Sequence, residues 1–147
     1  MDAQAFDGFN GRKADGSPFK IMVVDDSAFM LNQMKRFMEA IGCEVIGTAP
    51  DGVEAVRIYP QLKPDVVTMD ITMPRMDGIE ALSAIKEIDP RAKIIMVSAL
   101  GHEQMVKDAI LKGATYFIVK PLTLTKVRQT MIPILKKIGW YYESKNT

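Results

Sequence analysis

From Phe19 onward, five short apolar runs alternate along the chain with five segments of helical character. Because the runs are apolar continuously rather than at alternate positions, they predict strands that are covered on both faces. The pattern therefore predicts an α/β fold, a doubly wound five-stranded parallel sheet with a helical crossover after each strand. The runs are rich in β-branched and aromatic residues, as strands are, and they read FKIMVV, CEVIGTA, DVVTM, KIIMV and TYFIV.

The segments between the runs show helical spacing and helix caps. In the first segment, apolar residues from Phe29 to Ile41 recur at steps of three and four. The last helix is predicted over residues 123–138, and Pro133 within it predicts a kink or an early stop because proline lacks a backbone N–H donor. Residues typical of helix starts precede three of the helices: Ser27 the first, Asp51 the second and Asp77 the third. Glycines follow the predicted ends of the first and fourth helices, at Gly42 and Gly113.

The length and charge of the chain suit one soluble domain. Its 147 residues predict a folded domain over residues 19–138, with a flexible leader at 1–18 and a short tail at 139–147. The 19 basic residues nearly balance the 18 acidic ones, so no global charge points to nucleic acid. No apolar run approaches the roughly 20 residues of a membrane span, which predicts no membrane insertion. The N-terminus lacks a signal peptide and Cys43 is the single cysteine, so we expect a cytoplasmic location.

Four of the five predicted strands end at a polar residue. The first ends at Asp25-Asp26, the third at Asp70, the fourth at Ser98 and the fifth at Lys120. The carboxyl ends of parallel strands lie along one edge of a sheet, and ligands bind where the strand order reverses. In the flavodoxin-like order 2-1-3-4-5, the first and third strands flank that reversal. We therefore expect the three aspartates to converge, with the serine and the lysine on the neighbouring rim.

Three carboxylates at one sheet edge repel each other unless a proton or a cation lies among them. Two unit charges about 4 Å apart cost roughly 4 kcal/mol at an effective dielectric near 20. Oxygen ligands without cysteine or histidine, with open positions for water, suit Mg²⁺. The alternative is that each aspartate separately caps a helix or ends a strand, which fits one of them better than three with a lysine and a serine.

Lys120 beside such a metal site points to a second anion, and phosphoryl chemistry supplies one. A divalent cation and an ammonium group neutralise phosphoryl oxygens, while the Ser98 hydroxyl can donate a hydrogen bond. The nucleophile would then be a carboxylate, and Asp70 occupies the central position. The chain has no GxxxxGK[ST] loop, so ATP is not expected as the direct donor.

Four motifs in this chain resemble those of the receiver domain of two-component response regulators: VVDDS, VTMDITMPRMDG, MVSA and FIVKP. The resemblance covers about residues 19–138. It implies that Asp70 is the phosphoacceptor and takes its phosphoryl group from a phosphohistidine on a histidine kinase. It also implies that Asp25 and Asp26 bind Mg²⁺ and that the backbone carbonyl of Thr72 completes the coordination.

The same resemblance implies a conformational switch. Ser98 matches the hydroxyl that moves towards the phosphoryl group, Lys120 the lysine that pairs with it, and Phe117 the aromatic switch position. Movement of Ser98 and Phe117 together would alter the surface of the fourth helix, the fifth strand and the fifth helix. On physical grounds alone, Phe117 is equally well interpreted as an ordinary core aromatic. The Lys120-Pro121 bond is cis in the family, whereas sequence alone gives cis only about a 5% expectation.

Within the family, the stretches DDSAFM and TMDITMPRMDGIEAL resemble chemotaxis members. By that resemblance the partners are the histidine kinase CheA, the flagellar switch protein FliM and a phosphatase of the CheX or CheC type. Only GWYYESKNT follows the predicted last helix, so we expect a single-domain monomer that acts by docking. It would be no enzyme, but a phosphoacceptor that assists its own phosphorylation and dephosphorylation.

Thr72 and Leu100 occupy two variable positions on the rim of the predicted site, two residues beyond Asp70 and Ser98. In the family, such positions govern the access of water to the phosphoryl group. Neither side chain offers a carboxamide or a carboxylate to orient water. We therefore expect slow self-hydrolysis and reliance on an external phosphatase.

Three other functions stay open from the sequence. A receiver-type phosphorelay or phosphate-sink protein outside chemotaxis would use the same residues. A small aspartate-based phosphatase would also use a strand-end aspartate and Mg²⁺, but it typically needs a second aspartate where Thr72 stands. A flavin-binding carrier would bring a phosphate to the first loop, where Asp25-Asp26 would repel it.

Two further features have structural interpretations. His102, the only histidine, is expected to be a solvated residue at the start of the fourth helix, since no cysteine or second histidine accompanies it. For the aromatic residues Trp140, Tyr141 and Tyr142, packing on the domain or on the leader is favoured over anchoring a partner.

Overall fold

The computed structural model describes Phe9 and residues 11–145, with side chains described as far as Gly139. Strands and helices alternate throughout, as predicted. The elements are β1 (Lys20–Val24), α1 (Ala28–Ile41), β2 (Glu44–Ala49), α2 (Gly52–Leu62), β3 (Val66–Asp70), α3 (Gly78–Ile88), β4 (Ile94–Ser98), α4 (Glu103–Leu111), β5 (Tyr116–Val119) and α5 (Leu124–Lys145).

The five strands form one sheet in the order β2-β1-β3-β4-β5, and every pair of neighbours is parallel. This confirms the predicted doubly wound fold and its strand order. The order reverses between β1 and β3, so the loops that follow these two strands flank a crevice. Val24, the last residue of β1, is in register with Met69, which places Asp25 beside the end of β3.

The sheet separates two apolar layers, which explains why the strands are apolar at every position. Successive strand residues face opposite layers: Ile21 and Val23 lie in one, and Met22 and Val24 in the other. In the first layer, α1 and α5 contribute Met34, Met38, Val127, Met131 and Leu135. In the second layer, α2, α3 and α4 contribute Ala55, Leu82, Ile85 and Ala109.

Helix α5 differs from the prediction. It runs from Leu124 to Lys145 and continues through Pro133, so the end predicted at residue 138 is wrong. Of the two alternatives predicted at Pro133, the early stop is excluded and the kink stays a prediction. Proline removes the hydrogen bond to the carbonyl four residues earlier, which here belongs to Gln129. Both Pro133 and Gln129 are exposed, so that carbonyl can be hydrated and the helix can continue. The side chains of Trp140, Tyr141 and Tyr142 lie outside the described residues.

Part of the predicted leader contacts the domain. The rings of Phe9 and Phe19 lie 6.3 Å apart between centroids, and Gly11 is buried against the end of α1. The Phe19 amide donates to the Gly11 carbonyl at 3.2 Å, and the Lys13 ammonium lies 3.2 Å from Asp65. Residues 1–8 and 10 lie outside the described part of the chain, so the leader boundary stays a prediction.

Over residues 11–145, no helix combines the length and apolar character that crossing a bilayer requires.

Candidate functional site

The ends of β1 and β3 bring three carboxylates together. Asp25, Asp26 and Asp70 each offer an oxygen atom, and these oxygens lie within 4.8 Å of one another. Asp25 and Asp70 are both 7% exposed, whereas Asp26 is exposed to solvent. The predicted convergence of the three aspartates is therefore confirmed, because parallel strands on either side of the order reversal deliver them to one crevice.

Lys120 reaches the same cluster from the end of β5. Its ammonium nitrogen lies 3.3 Å from Asp25 Oδ2 and 3.5 Å from Asp70 Oδ1. Its backbone amide donates to the carbonyl of Ser98 at 2.8 Å, which joins the last residue of β4 to the start of the β5–α5 loop. The Lys120-Pro121 bond is cis, as the resemblance implied.

Ser98 is 2% exposed, and its hydroxyl oxygen accepts a hydrogen bond from the Leu100 amide at 3.1 Å. It lies on the strand next to β3, one position beyond the residue paired with Asp70. A buried hydroxyl beside the carboxylates is available to donate to an arriving anion. This placement agrees with the predicted rim position.

The electrostatics of the cluster favour an added positive charge. Burial is the main reason that the pKa of Asp70 is raised, Lys120 lowers it, and the neighbouring Asp25 raises it again. Asp70 Oδ1 also accepts a hydrogen bond from the Ile71 amide at 3.0 Å. Three carboxylates balanced by one shared ammonium group retain excess negative charge, and a donor set made of oxygen atoms suits a hard divalent cation.

The β3–α3 loop passes close to Asp70. Thr72, whose carbonyl the resemblance assigned to the metal, is exposed in this loop. Gly78 begins α3 and donates its amide to the Ile71 carbonyl at 2.8 Å, while Asp77 caps the helix by accepting from the Glu80 amide at 2.9 Å. A Cβ atom at Gly78 would collide with the carbonyl oxygen of Asp70, so this approach requires glycine.

Phe117 is half-buried in β5, where it pairs with Met96 of β4 and packs against the apolar layer formed by α2, α3 and α4. The groove of about 300 Å³ between β5 and α5 is lined by Phe117 and, farther along, by Lys126 and Gln129. Its flanking strand residues Tyr116 and Val119 are 51% and 41% exposed. The structure therefore places Phe117 between the core and the β5–α5 groove, which is compatible with both sequence interpretations of this residue.

His102 is exposed at the N-cap of α4 and makes no side-chain cap hydrogen bond, in agreement with its predicted position.

One contact near the site was missed by sequence reasoning. Asp51, read only as a helix cap, also accepts from Arg75: Nε lies 2.9 Å from Oδ2, and Nη2 lies 3.0 Å from Oδ1. The two residues are 24 positions apart, and no local pattern marks such a pair. The signal in the sequence was an arginine in the loop that follows the strand ending at Asp70.

Comparison with known proteins identifies the class to which this fold and site belong. Residues 21–132 match the family model of the response regulator receiver domain. The chain belongs to this family.

The relatives found include chemotaxis proteins named CheY. The protein from Treponema pallidum is 48% identical over 128 residues, which cover 86% of this chain and 89% of that protein. The protein from Bacillus subtilis is 50% identical over 112 residues, covering 76% of this chain and 93% of that one. Among solved structures, a chain in the crystal structure of the CheX–CheY–BeF₃–Mg²⁺ complex from Borrelia burgdorferi is 49% identical, with a TM-score of 0.82, and covers 84% of this chain and 95% of that one.

Proposed function

We propose that this protein is a phosphorylation-controlled binding switch in which Asp70 accepts a phosphoryl group from a phosphohistidine on a histidine kinase. One observation carries the proposal: the Lys120 ammonium lies 3.5 Å from Asp70 Oδ1, inside a cluster of carboxylates suited to a divalent cation. A nucleophilic carboxylate beside two positive charges matches what phosphoryl transfer requires.

In the proposed reaction, an Asp70 oxygen attacks the phosphorus atom as the phosphorus–nitrogen bond to the histidine breaks. The bonding electron pair stays on the imidazole, and Asp70 becomes an acyl phosphate. Asp25, Asp26, Asp70 and the Thr72 carbonyl would hold Mg²⁺, which when bound supplies charge neutralisation at the phosphoryl oxygens. Lys120 is held by Asp25 and Asp70 in the free protein and would turn to a phosphoryl oxygen in the product.

The switch would act through Ser98 and Phe117. Ser98 would donate its hydroxyl to the phosphoryl group, giving up the hydrogen bond from the Leu100 amide, and Phe117 would move with it. Support comes from the position of Phe117 between the core and the β5–α5 groove. The resulting change would appear on the surface formed by α4, β5 and α5, as a local electrostatic event that biases a two-state element.

Similarity to CheY proteins over most of the chain supports a role in chemotaxis. The partners would be the kinase CheA, the flagellar switch protein FliM and a CheX- or CheC-type phosphatase, with CheX supported by the Borrelia burgdorferi complex. The protein would act in the cytoplasm as a monomer and alter flagellar rotation. A phosphorelay or phosphate-sink role outside chemotaxis is the alternative.

Incubation with acetyl phosphate and Mg²⁺, followed by intact-mass measurement, tests the phosphoacceptor. We expect a gain of one phosphoryl group, lost in Asp70→Asn and retained in the control Asp77→Asn, because asparagine also caps helices. Turnover of many phosphoesters would instead indicate an aspartate-based phosphatase, and a yellow protein with bound FMN would indicate a flavin carrier.

Binding to purified FliM, measured with and without phosphorylation, tests the chemotaxis role. We expect binding that increases on phosphorylation and does not increase for Asp70→Asn. Phosphorylation at Asp70 without any FliM binding would favour the phosphate-sink alternative.

A further inference from the structure

We propose that Arg75 is a positioning residue for the metal and phosphoryl site, because it fastens the β3–α3 loop to the N-terminus of α2 through Asp51. The inference rests on the proposed function, since this loop carries Thr72, the residue whose carbonyl would ligate Mg²⁺. Arg75 touches none of the three clustered aspartates in any described contact. Its effect would be transmitted by the backbone of the loop.

The contact between Arg75 and Asp51 is bidentate. Nε and Nη2 of the guanidinium lie 2.9 Å and 3.0 Å from the two carboxylate oxygens, an arrangement stronger and more directional than a single ion contact. Asp51 is 6% exposed and also accepts from the Glu54 amide at 2.9 Å. The hydrogen bond from Glu54 is the main reason that the pKa of Asp51 lies below its usual value, and Arg75 lowers it further. The pair therefore stays ionised at neutral pH. The anchor on α2 is therefore fixed and charged.

The loop is shaped to reach this anchor. Arg75 has a φ of +68°, in the left-handed region that non-glycine residues seldom adopt. The next residue, Met76, accepts a hydrogen bond from the Gly52 amide at 3.1 Å, and a Cβ atom at Gly52 would collide with the Met76 carbonyl. Loop and helix therefore meet at two adjacent points, one through backbone atoms and one through the ion pair.

Thr72 lies between two attachments. On one side, the Gly78 amide holds the Ile71 carbonyl at 2.8 Å, and on the other, Arg75 holds Asp51. Thr72 itself is exposed, so its own side chain contributes little to fixing the direction of its carbonyl. Releasing the Arg75 attachment would leave this side of the loop held to α2 by the Gly52–Met76 backbone hydrogen bond alone. The Thr72 carbonyl would then be less ordered, and the cost of ordering a metal ligand on binding weakens the affinity.

The test uses two variants that remove or weaken the pair without introducing strain or removing a cap. Arg75→Gly removes the guanidinium and suits the left-handed φ. Asp51→Asn keeps the helix cap of α2 and removes the negative charge and the oxygen that accepts from Nε. Isothermal titration of the full chain with Mg²⁺ should show an affinity about tenfold weaker for each variant, the lower end of what outer-shell changes cause. The double variant should be no weaker than either single one. Phosphorylation by acetyl phosphate at saturating Mg²⁺ should return to the wild-type rate.

A matched control is available on the same helix. Arg57 pairs with Glu54 on the exposed side of α2, and Arg57→Ala should leave Mg²⁺ affinity unchanged. Wild-type affinity in Arg75→Gly, independent losses in the double variant, or normal affinity in Asp51→Asn alone would each overturn the proposal. Failure of the wild-type protein to bind Mg²⁺ at all would instead overturn the proposed function.

Discussion

At the scale of single residues, the cluster of strand-end carboxylates carries an electrostatic cost. Asp70 ends a strand whose five residues are all buried, so its carboxylate loses hydration that a surface aspartate keeps. Asp25 and Asp26 lie within 4.8 Å and add like charge, which Lys120 offsets only in part. We infer that the metal-free protein is destabilised at this point.

Replacing Asp70 by asparagine should therefore stabilise the metal-free protein. In EDTA at about pH 7 we expect Tm to rise, by about 2–4 °C for each 1 kcal/mol of stability gained at this chain length. Thermal unfolding followed by circular dichroism measures it. Asp108→Asn, at a partly exposed carboxylate on α4 that accepts from Gln104, is the control and should change Tm little.

The sign of the pH dependence follows from the raised pKa of Asp70. Folding favours the protonated form of such a carboxyl, so the penalty is absent below the unfolded value of 3.8 and complete above the higher folded value. The advantage of Asp70→Asn should fade as the pH falls towards about 4. An advantage that stays constant between these pH values would show that repulsion at Asp70 is not its cause.

A second prediction concerns Thr72, Leu100 and the lifetime of the proposed acyl phosphate on Asp70. Both side chains are exposed and neither offers a carboxamide or a carboxylate to orient water, so we expect dephosphorylation over minutes without a phosphatase. Thr72→Asn supplies a carboxamide and should shorten the lifetime by at least about tenfold. A side chain positioned to assist proton transfer typically contributes about 10²–10⁴-fold, and an asparagine that orients water should give part of that effect. Phosphate release over time measures this, with Thr72→Val as control. A wild-type lifetime of seconds would contradict it.

The site residues at strand ends could be predicted from the sequence because a polar side chain directly after a buried strand is costly unless it has a partner or a ligand. Asp25, Asp70 and Ser98 stood out for that reason, and Lys120 completed the set. The Arg75–Asp51 contact was not predictable, since it depends on how two loops approach each other in space. Which strand ends converge follows from topology, whereas contacts between loops follow from the detailed path of the backbone.

At the scale of elements, the junction of β3 and α3 is the tightest contact near the site. A Cβ atom at Gly78 would meet the Asp70 carbonyl oxygen and lie 2.8 Å from the Ile71 Cα. Gly78→Ala should therefore push α3 away from β3 and cost about 1–3 kcal/mol, as overpacking does. Urea denaturation measures the loss, and Mg²⁺ affinity should fall because the Asp70 backbone shifts.

Gly139→Ala is the matched control for that substitution. Its new Cβ atom would lie 3.6 Å from the Phe19 ring, an ordinary contact, and alanine favours the helix that contains it. We expect no loss of stability there. Equal stability of Gly78→Ala and the wild type would show that the β3–α3 junction relaxes without strain.

Element boundaries were predicted unevenly, for a physical reason. Gly42 follows α1 with a φ of +102°, and the Cys43 amide donates back to the Met38 carbonyl, so a glycine signal marked that end correctly. Pro133 does not end α5, because the cost of proline in a helix depends on whether the carbonyl that it leaves unpaired can be hydrated. The sequence does not show whether that carbonyl is exposed. Asp77 was predicted to cap α3, but the close approach to β3 that requires glycine at position 78 is a tertiary contact.

At the scale of the whole molecule, the continuous apolar runs predicted the parallel sheet, whereas its strand order was taken from flavodoxin-like folds, and the structure has that order. The packing of Phe9 and Gly11 on the domain did not follow, because these residues lack a periodic apolar pattern. Phe9 instead lies among groups supplied by distant elements, with its ring 6.3 Å from Phe19 and the Lys136 ammonium 6.0 Å from its centroid. A segment that is held only by contacts with distant residues shows no local sequence pattern from which its position could be predicted.

Cys43 reports on the cooperativity of the whole domain. It lies just before β2 and is 5% exposed. Burial, and to a smaller extent the charge of Asp65, raise the pKa of its thiol to about 12. Since the thiolate is the reactive form, native protein at pH 8 should react with a disulfide reagent at least about a thousandfold more slowly than protein in urea, given a typical stability of 5 kcal/mol or more. Ala40→Cys, exposed on α1, should react at an ordinary rate in the native state. Fast labelling of Cys43 under native conditions would show that β2, the edge strand beside β1, opens separately from the rest of the sheet.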